Sequence, residues 1–354
     1  MKPDLLSFTP EELESLLVSH GEPKYRASQI FTQLHRGLSP FEMTNIGKKT
    51  QSILSEETNY HLPEVVQKLV SALDGTVKYL FGLADGECVE SVVMSYEHGL
   101  TICISSQVGC RMGCKFCAST LGGKVRDLLP GEMLGQIIAA EKDLGLRISN
   151  VVMMGIGEPL DNYDNVIKFL RLLGEKDGIN IGYRHISLST CGLADRILSL
   201  SEEQFPITLS VSLHAPDDET RDSIMPVNKK YPIDTLMAAC RTYFERTGRR
   251  ISFEYTLIAG KNDSEESAVK LADMLNRHLR SSTSTMPIHV NLIPVNPVRE
   301  TGFVRSDRDN VKKFAAVLEK HGVRATVRRR LGADINASCG QLRRSHKEDQ
   351  GGTA

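Results

Sequence analysis

Residues 110–117 read CRMGCKFC and place three cysteines, Cys110, Cys114 and Cys117, close together in the chain. Thiolates are soft ligands that select iron–sulfur clusters, zinc or copper(I). A closed structural zinc site needs four ligands, whereas a cubane cluster held by three local thiolates keeps one iron open for a substrate. The C-x₃-C-x₂-C spacing therefore favours a cluster with one open iron. The alternatives are a zinc site with a distant fourth ligand, or three buried core cysteines.

The overall composition is that of a globular chain. It has 354 residues, of which 40% are hydrophobic and 25% charged, which fits one large domain with an appendage. It has no apolar run long enough to span a membrane, and its first residues lack the apolar segment of a secretory signal. Its eight cysteines are too few for a disulfide framework in a chain of this length. We therefore expect a cytoplasmic protein with free thiols and no membrane span.

Positive charge is concentrated near the C-terminus. The formal net charge of the whole chain is −1, so no global attraction to nucleic acid is expected. Residues 321–347, however, contain seven Lys or Arg against one acid, a local charge of +6. Such a stretch suggests a surface that faces a polyanion. The alternative is a solvated surface tail.

The first hundred residues predict helices followed by strands. A capping box at Thr9 and Glu12 predicts one helix, and apolar positions predict a second after Pro23, with Tyr25 on its inner face, and a third near residues 46–54. From residue 63 to 106, short apolar runs separated by Asp-Gly turns predict a meander of strands.

Beyond the cysteines, helices alternate with predicted strands at residues 150–154, 185–189, 207–213, 251–258, 288–293 and 323–327. Repeated units of this kind predict a parallel sheet that is closed or nearly closed into a barrel. Active sites of such barrels lie at the C-terminal ends of the strands. We therefore expect the functional side chains where each strand stops.

Several of these strand ends carry polar groups or glycines. Residues 155–159 read GIGEP, and the glycines would let the main chain approach a ligand beside the acid Glu158. Ser189, Ser212, His214 and Asn296 lie at or just beyond the ends of other predicted strands. Each is a weak signal alone, and His214 is as readily a structural histidine. Together they predict one polar mouth of the barrel.

Two further cysteines stand apart from the cluster motif. Cys103 lies in the strand before the motif, and Cys339 lies in the basic tail. A cysteine exposed in an electropositive segment is expected to be nucleophilic. The alternatives are a buried core residue for Cys103 and an incidental thiol for Cys339. We interpret Cys88, Cys191 and Cys240 as structural.

Taken in order along the chain, these segments resemble the RlmN/Cfr family of radical SAM RNA methyltransferases. The resemblance covers nearly the whole chain and is carried by residues 103–117, 155–159, 188–192, 212–216, 291–297 and 334–342. The Cys103 and Cys339 pair, with the ending DINASCGQ at residues 334–341, narrows it to the branch that methylates carbon 2 of adenosine. That branch is dual-specific: it modifies 23S rRNA in the peptidyl transferase centre and the adenosine 3′ of the anticodon in tRNA.

The resemblance implies an α/β fold: a partial (β/α)6 radical SAM barrel with an N-terminal helical accessory domain and a β-meander. The expected boundaries are 1–62 for the helical domain, 63–99 for the meander, 100–330 for the barrel and 331–354 for the tail with Cys339. The implied cofactors are a [4Fe-4S] cluster and S-adenosyl-L-methionine (SAM). The implied partners are 23S rRNA, tRNA and an electron donor such as flavodoxin or ferredoxin, with the protein itself a monomer.

The resemblance also implies roles by position. Cys339 would be the methyl-carrying nucleophile, Cys103 the resolving thiol and Glu90 the proton acceptor, although Glu90 could also be an exposed acid in an alternating strand. Cys110, Cys114 and Cys117 would hold the cluster. The SAM site would comprise Gly157, Glu158, Ser189, Ser212, Leu213, His214 and Asn296.

Two other functions use part of the same evidence. Methylation of carbon 8 of the same rRNA adenosine, as in the Cfr branch, would need the same residues. A non-catalytic iron–sulfur or zinc protein that binds RNA through the basic tail is the alternative from another class, but it gives no role to the Cys103 and Cys339 pair.

Overall fold

One sheet of ten strands organises the molecule. The computed structural model describes residues 2–280, 286–296 and 302–337, together with Leu342, Arg343 and His346. The strand order places an antiparallel meander at one edge of the sheet and a parallel barrel in the rest of it. The predicted α/β fold, with a barrel of parallel strands joined to a β-meander, is confirmed. Within the described residues, no helix is both long and apolar enough to cross a membrane.

Three helices precede the sheet: α1 (Pro10–Ser19), α2 (Tyr25–Leu34) and α3 (Lys48–Glu57). The capping box of α1 is confirmed, with Thr9 N donating to Glu12 Oε2 at 2.8 Å and Glu12 N to Thr9 Oγ1 at 3.2 Å. The inward orientation predicted for Tyr25 is wrong, because its side chain is 57% exposed. At about 100° per residue, the first position of α2 points well away from the buried Ile30.

The meander consists of β1 (Glu64–Val70), β2 (Val77–Gly82), β3 (Cys88–Tyr96) and β4 (Gly99–Cys103). Its first two turns contain Gly75 and Gly86 at φ 71° and 83°, where a glycine avoids backbone strain. A separate hairpin of β5 (Gln107–Gly109) and β6 (Lys124–Asp127) flanks the cysteine motif. The sequence did not reveal this hairpin, because its strands are too short to show a period.

The barrel is built on β4 and on six further strands, separated by helices. The strands are β7 (Ile148–Met153), β8 (Ile186–Thr190), β9 (Thr208–Ser212), β10 (Ile251–Leu257), β11 (His289–Pro294) and β12 (Arg324–Val327). The helices are α4 (Pro130–Leu144), α5 (Tyr163–Gly174), α6 (Ala194–Glu202), α7 (Asp218–Ile224), α8 (Ile233–Thr247), α9 (Glu265–Leu279) and α10 (Arg308–Lys320).

The neighbouring strands β4, β7, β8, β9, β10, β11 and β12 are all parallel, so their C-terminal ends lie on one face. Six βα units run from β4–α4 to β11–α10, and β12 adds a final strand. In the described part of the chain, β1 and β12 form the two edges, so the barrel is partial. Because β4 pairs with both β3 and β7, the meander and the barrel share one sheet.

Candidate active site

A cavity of about 250 Å³ opens at the C-terminal ends of the parallel strands. Most of the residues predicted for the cluster and for SAM line it: Cys110, Cys114, Cys117, Gly157, Glu158, Ser189, Ser212, His214 and Asn296. Leu213 differs, because its side chain is fully buried in the main apolar core. The polar mouth expected at the strand ends is therefore present.

The hairpin of β5 and β6 holds the cysteine loop in place. Cys110 N donates to the Gly123 carbonyl at 3.0 Å, which closes the base of the loop. Gly109 is required there, because its φ is +78° and a Cβ would lie 1.9 Å from that same carbonyl oxygen. Further along the loop, Lys115 N donates to the Ile224 carbonyl at 2.9 Å and connects it to α7.

The three loop thiols share one partly buried environment. Burial, with smaller effects from the charges of Glu158 and Cys117, raises the pKa of Cys110 to about 12. Burial and the neighbouring thiols also raise the pKa of Cys114. A metal deprotonates the thiols that coordinate it, so buried thiols of this kind can serve as thiolate ligands once a metal is bound. The donor set therefore fits a thiolate-ligated iron–sulfur cluster.

A single-metal site fits this arrangement less well. Within the described residues, no three His, Cys, Asp or Glu side chains are placed to share one metal ion. A cubane differs from zinc in this respect, because each thiolate binds a different iron of the cluster. The preference for a cluster over zinc therefore rests on the C-x₃-C-x₂-C spacing of the loop.

The GIGEP turn packs tightly against the chain that follows β4. A Cβ on Gly155 would lie 2.5 Å from the Ile104 carbonyl oxygen, and one on Gly157 would lie 2.7 Å from Gln107 Cβ. Gly157 also has a φ of +110°, which disfavours any larger residue. Both glycines line the cavity, but the close approach that they allow is to residues 104–107 of the protein itself.

Glu158 places a buried carboxylate beside this turn. Its side chain accepts hydrogen bonds from Cys191 N at 2.7 Å and Leu160 N at 3.1 Å. Burial raises its pKa, and these hydrogen bonds oppose the effect. Among the described residues, no Lys or Arg nitrogen lies within ion-pair distance of it. A carboxylate in such a cavity is suited to bind an ammonium group of a ligand.

His214 connects the cysteine loop to β10. Its Nδ1 accepts the Thr256 N–H at 2.9 Å, and its ring meets the Phe116 ring edge-on at 4.9 Å. Burial lowers its pKa to about 3, so the ring is neutral with its proton on Nε2. Its φ of 59° is unusual for a residue with a side chain. His214 therefore offers one N–H donor to the cavity from a rigid position.

Arg221 is a site residue that the sequence did not reveal. It is fully buried and donates to the carbonyls of Cys191 at 2.7 Å, Leu213 at 3.1 Å and Ser212 at 3.2 Å. One guanidinium thus holds two neighbouring strand ends together. Its short helix α7 was not predicted, although the Asp217 cap, which accepts from Thr220 N at 2.8 Å, was a usable signal.

A second cavity of about 140 Å³ adjoins the first and contains Cys103. The two cavities share Met154, Ile293, Asn296 and Arg328 in their walls. Burial raises the pKa of Cys103, and the positive charge of Arg328 opposes the effect. Cys103 therefore faces a space next to the SAM cavity.

The C-terminal tail docks on the meander beside Cys103. Asp334 accepts from Ser71 Oγ at 2.6 Å and Ala72 N at 2.8 Å, and Asp74 accepts from Gly332 N at 2.9 Å. Ala337 then packs with Cys103 in one small apolar cluster. Two residues of the family resemblance lie outside the described residues. They are Cys339, the predicted methyl carrier, and Pro297, the last residue of the segment 291–297.

Glu90 is buried between the meander and the tail. It is 2% exposed, pairs with Lys78 Nζ at 2.9 Å and accepts from Arg343 N at 2.7 Å. Lys78 also donates to the Asn336 carbonyl at 3.2 Å. The alternative of an exposed acid is therefore wrong, because most of β3 is covered on both faces. The buried Lys78 had no signal in the sequence.

The barrel, the three-cysteine loop and the cavity at the strand ends are those of a radical SAM enzyme. Residues 104–272 match the model of the radical SAM superfamily, and residues 3–59 match that of the ribosomal RNA large subunit methyltransferase N-terminal domain. The crystal structure of a radical SAM methyltransferase from Sphaerobacter thermophilus superposes with a TM-score of 0.89 at 41% identity, covering 96% of this chain and 98% of that one.

Curated relatives give the narrower assignment. A probable dual-specificity RNA methyltransferase RlmN from Alkaliphilus oremlandii is 51% identical, covering 98% of this chain and 99% of the relative. The corresponding protein of Clostridium acetobutylicum is 49% identical, with 99% of both chains covered. The chain therefore belongs to the RlmN family of radical SAM RNA methyltransferases, as the resemblance predicted. Its cofactors are accordingly a [4Fe-4S] cluster and SAM.

Proposed function

We propose that this protein methylates carbon 2 of one adenosine in 23S rRNA, in the peptidyl transferase centre, and of the adenosine 3′ of the anticodon in tRNA. The methyl group passes through Cys339. One observation carries this proposal: Ala337 of the tail and Cys103 pack in one apolar cluster beside the cofactor cavity. The dual-specificity relatives supply the two substrate classes.

In this proposal Cys110, Cys114 and Cys117 hold the cluster, and the strand ends bind SAM. Glu158 accepts the methionyl ammonium group, which would be its cationic partner. Gly157, Ser189, Ser212, Leu213, His214 and Asn296 complete the SAM site. Leu213 contributes through its main chain, because its side chain faces the core.

The two distant cysteines explain how an unreactive carbon can be methylated. Carbon 2 of adenine is electrophilic and cannot attack a sulfonium methyl group, so the methyl group cannot be transferred by direct displacement. When bound, the reduced cluster and SAM supply the hydrogen abstraction that activates the methyl group. Cys339 carries that methyl group to the base, and covalent catalysis thereby divides one difficult step into easier ones.

Release of the product falls to Glu90 and Cys103. Glu90 takes the proton from carbon 2 once the base is joined to Cys339, and the cluster would accept the one electron that has to leave the base with that proton. The Cys103 thiolate then attacks the Cys339 sulfur and breaks its bond to the methyl carbon. The electron pair of that bond stays on the carbon, which takes up a proton, and a Cys103–Cys339 disulfide remains for later reduction.

The chain between Ala337 and Cys339 is long enough for this encounter. Two residues span at most about 7 Å. A disulfide needs Cα atoms about 4.4–6.8 Å apart. Because Ala337 and Cys103 belong to one small apolar cluster, two residues of chain can bring Cys339 to the resolving thiol.

The test compares Cys103→Ala with Cys339→Ala after turnover with RNA, with Cys240→Ala as a control in the core of α8. Cys103→Ala should accumulate protein covalently joined to RNA, because nothing releases the base. Cys339→Ala should form neither adduct nor product, and the control should methylate normally. Denaturing gels with mass spectrometry of any shifted band give the result. Methylated RNA from Cys339→Ala would refute the proposal.

Two alternatives are decided by separate measurements. Mass spectrometry of modified nucleosides distinguishes methylation at carbon 2 from the carbon 8 of the Cfr branch. A non-catalytic iron–sulfur or zinc protein would fail to cleave SAM under dithionite after anaerobic reconstitution. A non-catalytic protein of that kind would also give no role to the two adjoining cavities, one of which contains Cys103.

The remaining proposals concern the setting of the reaction. We propose a cytoplasmic monomer that receives electrons from a flavodoxin or ferredoxin. The boundaries at 62/63, 99/100 and 330/331 stay predictions. The boundary at 99/100 separates β3 from β4, which exchange main-chain hydrogen bonds, so it divides roles and not separate folding units.

A further inference from the structure

Asp161 lies behind the wall of the cofactor cavity, and the proposed reaction gives it no role. It follows the GIGEP turn, in a short 3₁₀-helix over Pro159–Asn162. Its main-chain N–H donates to the Glu158 carbonyl at 3.0 Å. The main chain therefore fixes Asp161 relative to Glu158, the proposed partner of the methionyl ammonium group.

The carboxylate of Asp161 accepts hydrogen bonds from the cysteine loop and from its hairpin. Arg111, the residue after Cys110, donates to it through Nε and Nη2, with Nε 3.1 Å from Oδ2. Lys124 of β6 donates to Oδ2 at 3.0 Å. Burial acts to raise the pKa of Asp161, but hydrogen bonds led by that of Arg111 outweigh it and hold the pKa below its ordinary value. Asp161 is therefore an ionised group, and its side chain is only 7% exposed.

Gln107 connects the same carboxylate to the GIGEP turn a second time. Its side chain is fully buried on β5, and its Nε2 donates to Asp161 Oδ2 at 2.8 Å and to Asp127 Oδ1 at 2.8 Å. Its Oε1 accepts the Glu158 N–H at 2.9 Å. Asp161 is thus joined to Glu158 both through the main chain and through this amide.

These contacts connect two sides of the cavity. Cys110 and Glu158 both line it, and the charge of Glu158 acts on the Cys110 thiol. In the proposed site, one SAM molecule meets both the cluster and Glu158, so their separation has to be held to within about 0.5 Å. Asp161 is bonded to both sides, because it contacts the residue after Cys110 and the turn that carries Glu158.

We propose that Asp161 is a positioning residue for SAM binding, which holds the cysteine loop and the GIGEP turn at the separation that one SAM molecule requires. The inference rests on the SAM site proposed above. Asp161 acts through Arg111 and Gln107 and does not itself touch the cofactor.

The test measures iron content, thermal unfolding and equilibrium binding of SAM to cluster-loaded protein, under anaerobic conditions and without RNA or reductant. Asp161→Asn keeps the size of the side chain but removes its charge, and an amide has one acceptor oxygen where a carboxylate has two. Asp85→Asn is the matched control. Asp85 Oδ2 accepts from Arg126 Nε of β6 at 2.6 Å, and none of its hydrogen bonds in the described chain reaches the cysteine loop.

Asp161→Asn should load iron to the wild-type level but bind SAM about tenfold or more weakly, as expected for lost hydrogen bonds to a charged group. A residue that only stabilised the fold would lower the unfolding temperature and leave the affinity of loaded protein unchanged. Asp85→Asn should bind SAM as wild type does. Wild-type affinity in loaded Asp161→Asn would overturn the inference alone, whereas absence of SAM binding by wild type would refute the proposed SAM site.

Arg111→Gln decides the question should Asp161→Asn fail to fold, because the Arg111 side chain is 63% exposed and its replacement leaves the core intact. It should weaken SAM binding about threefold, as expected for a partly exposed ion pair. In the double variant the two losses should combine to less than their sum, since both remove one contact. Unchanged affinity in loaded Arg111→Gln, or fully additive losses, would overturn the role of Asp161 in positioning the loop.

Discussion

Arg221 is the most constrained side chain at the strand ends, since its guanidinium lies wholly inside the protein and bonds to neutral acceptors. Removing it leaves several buried carbonyls without donors, and each such loss is costly. We expect Arg221→Met to lower the free energy of unfolding by about 3 kcal/mol or more. Urea denaturation followed by circular dichroism measures this.

The control for that variant is Arg171→Met, whose exposed side chain pairs with Glu203 at 2.8 Å. Its effect should stay within about 0.5 kcal/mol. Equal losses in the two variants would show that the hydrogen bonds of Arg221 to the strand ends contribute little stability.

His35 gives a prediction about pH. Its buried ring accepts the Ile179 N–H at 3.3 Å through Nδ1, and burial lowers its pKa from 6.5 to about 4. The unfolded chain therefore binds the proton first, so this stability is present above pH 6.5 and is lost as the pH falls towards 4. Between pH 7 and pH 5, wild type should lose about 2 kcal/mol through this residue.

His35→Asn keeps an acceptor for Ile179 N but does not titrate. The variant should be less stable than wild type at pH 7, and the difference should shrink by pH 5. The remaining acid sensitivity reports other groups, such as His214. Parallel pH dependence of the two proteins would contradict the assignment of a neutral, buried His35.

Among the structural elements, the turn between β1 and β2 anchors the C-terminal tail. Asp334 of the tail accepts from Ser71 and Ala72 in the turn, and Asp74 in the turn accepts from Gly332 N–H of the tail. The bond from Gly332 N–H lowers the pKa of Asp74 to about 2. We expect Asp334→Asn to lower the effective concentration of the Cys103 and Cys339 thiols for each other, because the tail loses a fixed attachment.

Glutathione redox buffers measure this effective concentration through the fraction of Cys103–Cys339 disulfide. Asp334→Asn should shift it about tenfold towards the dithiol. Asp177→Asn, whose carboxylate accepts from Ser28 of α2, should leave it unchanged. An unshifted Asp334→Asn curve would show that other contacts position the tail.

The elements also show what sequence can and cannot predict. The long periodic helices and the strands of the βα units were all expected, because apolar periods of 3.6 and 2 are strong signals. The β5–β6 hairpin and α7 were missed, because segments of three to seven residues are too short to show an apolar periodicity. Most of the predicted residues that line the cofactor cavity followed from motifs. Lys78 and Arg221 did not, because their contacts are with partners distant in the chain.

At the scale of the whole molecule, the exposed arginines beside Cys103 predict how RNA binds. Arg328, Arg329 and Arg330 line the second cavity and lie on its rim. Changing all three to Glu should weaken the binding of every RNA tested. In a plot of the logarithm of affinity against the logarithm of salt concentration, the slope should become shallower by about 0.7–0.9 for each phosphate contact removed. Filter binding across a salt series measures both effects.

A charge-matched control changes Lys312, Lys313 and Lys320 to Glu on the exposed side of α10. This variant carries the same net charge but leaves the cavity rim intact. Equal losses for the two triple variants would mean that RNA responds to total charge and does not use this surface.

The contact between Asp334 and Ser71 joins residues 263 positions apart. During synthesis, the turn that receives the tail leaves the ribosome long before the tail exists. The contact can form only after the intervening barrel has been made, and such distant pairings form late in folding. A nascent chain in which synthesis has not yet passed the barrel could already assemble its cluster loop, yet it would lack Cys339, the proposed methyl carrier. On that proposal, competence to modify RNA is acquired only after the barrel has been made, so a copy without Cys339 cannot trap the RNA that the enzyme is meant to release.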